Sequence, residues 1–195
     1  MHLFEKKTCF TRPCQIAGLA LLLLFGACDP PASAASKPVP AEAVHERRCG
    51  DDGYLSAELF GSIEYKIDWD ARDFDCESML RPAGAGLRLR FTGNAADREM
   101  SIILAIPDLK RRVDGHELPT VVTLTVDGSG RFFSTASLDA CFTDISTLAV
   151  VDGNAEQYDV RGTLYCVTPL GEINGDTAIS IPKMEFQSRV QWETQ

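Results

Sequence analysis

The sequence predicts a mainly β protein, specifically an antiparallel β-sandwich with one short helix and two disulfides. Apolar and polar residues alternate with a period of two through much of residues 45–195, as they do in strands with one buried face. Turn sequences rich in Gly, Asn and Asp separate the alternating stretches. Four cysteines in this region are an even set suited to disulfides. Its length of about 150 residues suits one domain with a substantial core.

The first strand signal is the stretch YLSAELFGSIEYKIDW at residues 54–69. Its odd positions are apolar on both sides of Gly61, whereas its even positions are polar with the exception of Phe60. This alternation is long for one strand. Glycine inside a strand often marks a bulge or bend. We therefore expect the chain to bend at Gly61.

Six further segments show strand patterns, and they are separated by turn sequences at 126–131, 151–154 and 173–176. The predicted strands are 87–92, 100–106, 120–126, 131–134, 146–151 and 158–167. Asn174-Gly175 is the strongest hairpin signal, because both residues tolerate the positive φ that tight hairpin turns require. Strands at this spacing favour a sandwich.

Two segments depart from simple alternation. Residues 107–118, PDLKRRVDGHEL, have the only helix-like pattern, and they supply the one short helix of the predicted fold. Near the C-terminus the apolar positions change from odd, at Ile179 and Ile181, to even, at Met184 and Phe186. Because a slip of one residue reverses the face of every side chain, we predict a bulge at Pro182.

The four cysteines of the domain allow three disulfide pairings. Cys49–Cys76 and Cys141–Cys166 close loops of 27 and 25 residues, and the other two pairings close much longer loops. Since short loops close more readily, we predict the two local bridges. No C-x-x-C occurs anywhere in the chain, so the spacing does not favour a zinc site.

The N-terminus has the pattern of an export signal. Basic residues precede the apolar run IAGLALLLLF at residues 16–25, which is too short for a membrane-spanning helix of about 20 residues. Gly26 and Ala27 then precede Cys28, and this stretch resembles the lipobox of bacterial lipoproteins. Phe25 stands where that family usually has an aliphatic residue. The triplet at residues 32–34, Ala-Ser-Ala, is a competing site for ordinary signal peptidase.

The lipobox resemblance implies that Cys28 is lipidated and becomes the first residue of the mature chain. Its acyl chains would anchor the protein to a membrane of the bacterial cell envelope, facing the periplasm or the cell exterior. The expected organisation is therefore a signal peptide at 1–27, a Pro/Ala/Ser-rich linker at 28–44 and a β-sandwich domain at 45–195. The globular domain carries no motif that assigns it to a family.

Charge excludes one class of partner. The chain has a formal net charge of −9, and cleavage before Cys28 leaves 16 basic and 27 acidic residues, a net charge of −11. An acidic domain repels phosphate backbones, so we expect no nucleic-acid partner.

A cluster of carboxylates, DWDARDFDCE at residues 68–77, is the best metal candidate in the sequence. Its candidate ligands are Asp68, Asp70, Asp73 and Asp75, since calcium prefers clustered oxygen atoms. The match to a calcium loop is poor, because the twelfth position from Asp68 is Met79 rather than glutamate. We interpret the segment as a solvated acidic turn.

Catalytic motifs are weak throughout. His116 lacks the second histidine of a zinc-protease helix, and the chain has no G-x-S-x-G elbow. Trp69 and Trp192 lie in phase with apolar residues, which favours core packing over sugar stacking. The sequence therefore predicts a lipid-anchored envelope protein with a non-catalytic binding or scaffolding domain, no cofactor, and an envelope protein or glycan as partner. The alternative is a soluble secreted β domain that acts as a glycan-binding module or hydrolase.

Overall fold

The computed structural model describes residues 49–80, 86–111 and 113–192, and these residues form thirteen strands. The strands are β1 Tyr54–Gly61, β2 Tyr65–Asp70, β3 Phe74–Leu80, β4 Leu87–Ala95, β5 Arg98–Ile106, β6 Gly115–Pro119, β7 Val121–Val126, β8 Arg131–Ser134, β9 Cys141–Val151, β10 Asn154–Cys166, β11 Leu170–Glu172, β12 Ala178–Ser180 and β13 Met184–Gln191. Residues Leu138–Ala140 form one 3-10 turn. The predicted signal peptide, Cys28 and the linker lie outside the described residues.

All strand pairs are antiparallel, and the strands form one continuous sheet that is folded into two layers. Sheet A has the order β2-β1-β13-β10-β9-β6, and sheet B has the order β3-β4-β5-β7-β8-β11-β12-β1. Strand β1 belongs to both sheets, because its first residues from Tyr54 to Ala57 pair with β13 and its last residues, Phe60 and Gly61, pair with β12. The predicted mainly antiparallel β fold is confirmed.

The core lies between the two sheets. Phe91 of β4 packs against Phe186 of β13, with 5.6 Å between ring centroids, and Phe74 packs against Phe91 at 6.0 Å. These rings join sheet B to sheet A, and all three are essentially inaccessible to solvent. Buried aromatic side chains of this size dominate core energetics, because each removes about 150–250 Å² from water.

The segment at residues 54–69 folds as a hairpin rather than as one bent strand. Most of its odd apolar residues are buried as predicted, including Leu55, Leu59 and Ile67, whereas Ile63 and Tyr65 are half-buried. Gly61 has φ of +106°, and a Cβ atom there would lie 2.6 Å from the carbonyl oxygen of Ala178. Only glycine fits this position, and it lets the chain reverse direction instead of bending.

The predicted phase change near Pro182 is confirmed, but it is a break between strands and not a bulge. β12 ends at Ser180 in sheet B, and β13 begins at Met184 in sheet A. Ile181 and Met184 are both fully buried, although they belong to opposite phases of the alternation. The three residues between the strands therefore move the chain from one sheet to the other while keeping apolar side chains in the core.

The predicted helix at residues 107–118 is wrong. The segment leaves β5 through a turn, buries Leu109 in the core and ends in edge strand β6, which pairs with β9. Nε of Arg111 donates to the hydroxyl of buried Tyr158 at 2.7 Å. Helices shorter than about 12 residues are marginal alone, so pairing with β9 and these contacts outweigh the local pattern.

Both predicted disulfides are present. Cys49–Cys76 ties the chain just before β1 to β3, and Cys141–Cys166 joins directly opposed residues of β9 and β10. Cys49, Cys76 and Cys141 are buried. The local pairing preferred from loop length is therefore confirmed.

The Cys141→Ala/Cys166→Ala double variant tests how much one bridge stabilises the domain. Opening a 25-residue loop restores entropy to the unfolded chain, so we expect the free energy of unfolding to fall by about 3 kcal/mol. Urea unfolding followed by circular dichroism measures the change. Cys49→Ala/Cys76→Ala, with a loop of 27 residues, serves as the matched variant. A loss below about 1 kcal/mol in both variants would contradict the loop-entropy argument.

Candidate functional site

The four candidate metal ligands of the acidic segment are spread over a strand, a turn and a second strand. Asp68 and Asp70 lie on β2, Asp73 lies in the following turn and Asp75 lies on β3. The carboxylate of Asp70 accepts hydrogen bonds from the backbone N and from Nη2 of Arg72, both at 2.9 Å. These bonds lower the pKa of Asp70. Within the described residues, no group of three or more His, Cys, Asp or Glu side chains is arranged to hold a metal ion.

The acidic segment is thus the end of β2 in sheet A, a turn at residues 71–73 and the start of β3 in sheet B. The backbone N of Asp70 donates to Oδ2 of Asp73 at 3.1 Å, which closes the turn locally. The interpretation of residues 68–77 as a single solvated turn was too broad, because Phe74 and Cys76 are core residues of a strand.

The two tryptophans are core residues, as predicted. Trp69 and Trp192 are 5% and 4% exposed, and Nε1 of Trp69 donates to the carbonyl oxygen of Asn94 at 2.9 Å. His116 lies on β6 and is largely exposed, with Nδ1 3.7 Å from Oδ1 of Asp144. The structure therefore brings His116 next to one carboxylate.

Three hairpin turns meet around a cleft of about 330 Å³. The turns are β1–β2 at residues 62–64, β4–β5 around residues 95–98 and β7–β8 around residues 127–130. The cleft has apolar residues at its base, including Tyr65, Met100 and Val126, and exposed charged residues at its rim, Glu64, Asp97 and Arg98. Small-ligand sites commonly combine an apolar lining with a few polar groups, and they start at about 300 Å³.

Arg131 organises one wall of this cleft. Its guanidinium binds Glu172 through Nε at 2.8 Å and Nη2 at 3.2 Å, and Nη2 also donates to Thr177 at 2.7 Å and to Ser62 at 3.1 Å. Its Cζ lies 4.9 Å from the ring centroid of Phe133. The planar guanidinium is held rigidly because it binds several partners. These partners connect β8 to the β11–β12 hairpin and to the β1–β2 turn.

Glu172 is the anionic partner in this cluster. The Arg131 guanidinium and the Thr177 hydroxyl hold the pKa of Glu172 at about 2, and Thr177 Oγ1 donates directly to the carboxylate. The side chain of Glu172 is only 14% exposed. Because this carboxylate neutralises Arg131, the wall offers polar groups without an unpaired positive charge, and it is a poor site for an isolated anion.

The β4–β5 turn at the rim carries backbone strain. Ala96 has φ of +56°, a conformation that non-glycine residues other than Asn and Asp adopt rarely. Strained residues of this kind concentrate at functional sites. Sequence analysis missed this turn because the turn-like dipeptide Gly93-Asn94 lies inside β4, while the true turn has alanine where glycine is usual.

A second cluster surrounds a bulge in edge strand β6. One extra residue lies between Gly115 and Leu118, and Glu117 has φ of +49°. The backbone N of Glu117 donates to Oδ1 of Asp144 at 2.7 Å. Burial, followed by the charges of Glu117 and Asp144, raises the pKa of Tyr165.

Beside the bulge, Phe142 and Tyr165 form a half-buried aromatic pair on the outward face of sheet A, with ring centroids 5.7 Å apart. Bulges redirect side chains and are common near binding sites. This cluster was also missed, because Glu117 lies in the segment predicted to be helical.

Comparison with known proteins assigns no family to the chain. No protein-family model matches the sequence, and neither the curated proteins nor the solved structures include a significant match. Within the part of the chain that the structure describes, no helix is long and apolar enough to cross a membrane.

Replacing Glu172 with Gln tests the polar wall. The pKa of Glu172 is about 2 in the folded chain against an ordinary value of 4.5, so its charge stabilises the fold above pH 4.5. That stabilisation is lost as the pH falls through 2. We expect Glu172→Gln to lower the melting temperature at pH 7, and the difference from wild type to shrink between pH 5 and pH 2.

Calorimetry at a series of pH values measures this difference. Glu185→Gln is the matched control, because Glu185 pairs with Lys183 at 2.7 Å on an exposed surface where such pairs contribute little. An effect of Glu172→Gln that stayed constant from pH 7 to pH 2 would show that the carboxylate charge does not stabilise the wall.

Proposed function

We propose that the protein is a lipid-anchored component of the bacterial cell envelope whose β domain binds a partner without catalysing a reaction. The observation that carries the binding role is the cleft between the three hairpin turns, with its apolar base, charged rim and rigid Arg131 wall. Loops on a rigid β scaffold are common binding sites. The anchor rests on the lipobox resemblance at Cys28, and the two disulfides suit an oxidising compartment.

The position of the cleft suits a tethered receptor. The linker would enter the domain just before Cys49, ahead of β1, whereas Ser62 of the cleft follows the last residue of β1. A strand of eight residues is about 25 Å long, so attachment and binding fall at opposite ends of β1. A linker with the Pro/Ala/Ser-rich composition of residues 28–44 would add reach away from the headgroups.

The chemistry of the cleft indicates the kind of partner. Tyr65, Met100 and Val126 offer apolar contact area, while Asp97 and Arg98 present both signs of charge at the rim. Such a mixture fits a protein segment that inserts an apolar side chain and surrounds it with polar contacts. The partner we propose is therefore another envelope protein.

The anchor is tested by Cys28→Ser in the full chain. Wild type should remain in the membrane fraction and have an intact mass that corresponds to a chain starting at Cys28 plus acyl groups. The variant should lack the added acyl mass, because serine has no thiol to take the lipid. Mass spectrometry of the unreduced protein and fractionation measure both properties.

The opposite result has a clear meaning. A soluble wild-type chain that starts at Ala35 would contradict the anchor and favour the alternative, a secreted glycan-binding module or hydrolase. The Phe142–Tyr165 pair beside Glu117 and Asp144 would then be the first site to examine, since sugars stack on aromatic rings and donate hydroxyl hydrogen bonds to carboxylates.

Partner binding at the cleft is tested by a photo-reactive amino acid at Asp97. We expect it to cross-link one envelope protein in intact cells, because Asp97 lies on the rim of the cleft. The matched control is the same replacement at Asp152, an exposed aspartate in the β9–β10 turn. Addition of Met100→Ala should weaken the Asp97 product by enlarging the apolar base. Equal labelling at both positions would argue against a binding role for the cleft.

A further inference from the structure

Part of the outward face of sheet B has no charged residue on five adjacent strands, and Glu99 of β5 and Arg90 of β4 lie at its border. The face, called the neutral face below, comprises alternate residues 101–105 of β5, 121–125 of β7 and 132–134 of β8, together with Gly171, Ala178 and Ser180. All of these positions are described, and each is serine, threonine, glycine or an apolar residue. Charged residues make up 24% of the chain, so a sheet face of this size without charge is unusual.

Sheet A has the opposite character. Its outward face carries ion pairs such as Arg189 with Asp159 at 2.9 Å, and its polar contacts include the hydrogen bond between Arg161 and Gln187. The chain as a whole has a net charge of −9. Two copies that approached through most of their surface would therefore bring like charges together, which costs free energy.

Three hydroxyl groups of the neutral face, those of Ser101, Thr123 and Ser134, have partners within the chain. Oγ of Ser101 accepts a hydrogen bond from Nε of Arg90 at 2.9 Å, and it lies within hydrogen-bond distance, 2.9 Å, of Oγ1 of Thr92. Oγ of Ser134 donates to the carbonyl oxygen of Val122 at 3.2 Å and lies 3.4 Å from Oγ1 of Thr123. Covering hydroxyls that keep their hydrogen bonds costs much less than covering unsatisfied ones.

Exposed apolar side chains stand on the same face. Phe132 is 48% exposed, and Ile173, directly across from it, is 52% exposed, with the backbone N of Ile173 donating to the carbonyl oxygen of Phe132 at 2.7 Å. The space where a Cβ atom of Gly171 would lie is empty of other atoms within 4 Å. The face therefore combines two apolar projections with open space beside them.

We propose that the neutral face is the surface through which two copies of this chain associate. It is the part of sheet B on which an acidic chain can meet its own copy without opposing like charges. The hydroxyls of Ser101, Thr123 and Ser134 keep their partners within the chain. Five strands about 4.8 Å apart, with outward residues along about 15 Å, give an area of roughly 400 Å² per copy. This area lies in the small class of interfaces, so the dimer is weak and reversible.

The test measures the mass of the full chain in detergent micelles by light scattering over a dilution series. We expect wild type to fall from two chain masses at high concentration to one at low concentration. Thr123→Glu places a carboxylate at the centre of the neutral face on each copy, so the dissociation constant should rise at least tenfold. The matched control Thr147→Glu lies on exposed β9 opposite Arg161, and it should leave the constant unchanged.

Phe132→Glu provides a second variant at an exposed side chain, where folding tolerates substitution better. It should weaken the dimer in the same way, with circular dichroism and both disulfides like those of wild type. Wild type that has the mass of one chain at the highest concentration overturns the proposal. An equal rise of the dissociation constant in Thr147→Glu also overturns the proposal, because a general increase in negative charge would then explain the effect.

Discussion

The shared strand β1 is the constraint on which the rest of the structure depends. Its first half pairs with β13 and its last two residues pair with β12, so one strand holds both sheets in a fixed relation. The core forms in the space this relation leaves, where Phe91 meets Phe186. The cleft forms where β1 ends, because Gly61 turns the chain into β2 next to the carbonyl of Ala178. Core and cleft therefore have one structural origin.

The alternation of apolar and polar residues predicted much of this fold, because each central strand has one buried face. Leu55, Ile67 and Phe186 are buried where the alternation places them. The local sequence pattern gave a wrong prediction where pairing with a strand distant in sequence decides the structure. Residues 107–118 have a helix-like pattern but become a turn and edge strand β6, since β9 offers a free edge. The short strand β11 was missed because three residues are too few to show alternation.

The candidate site was less predictable than the fold, because its parts are distant in sequence. Arg131 and Glu172 are 41 residues apart, and Ser62 is 69 residues from Arg131, so no local motif links them. The carboxylates of residues 68–77 are close in sequence, but β2 and β3 pair with different strands and Arg72 binds Asp70. The positive φ of Ala96 could not be predicted for another reason: it is set by the β4–β5 hairpin in which the residue lies.

Strand β8 links the two proposed surfaces. Successive residues of a strand point to opposite faces, so Arg131 lines the cleft while Phe132 stands on the neutral face. The Glu172 carboxylate fixes Arg131, and the next residue along the chain, Ile173, lies across from Phe132. A ligand that favoured one position of β8 would therefore alter both surfaces. Thermodynamic linkage then requires that association change affinity at the cleft by the same factor by which the ligand changes association.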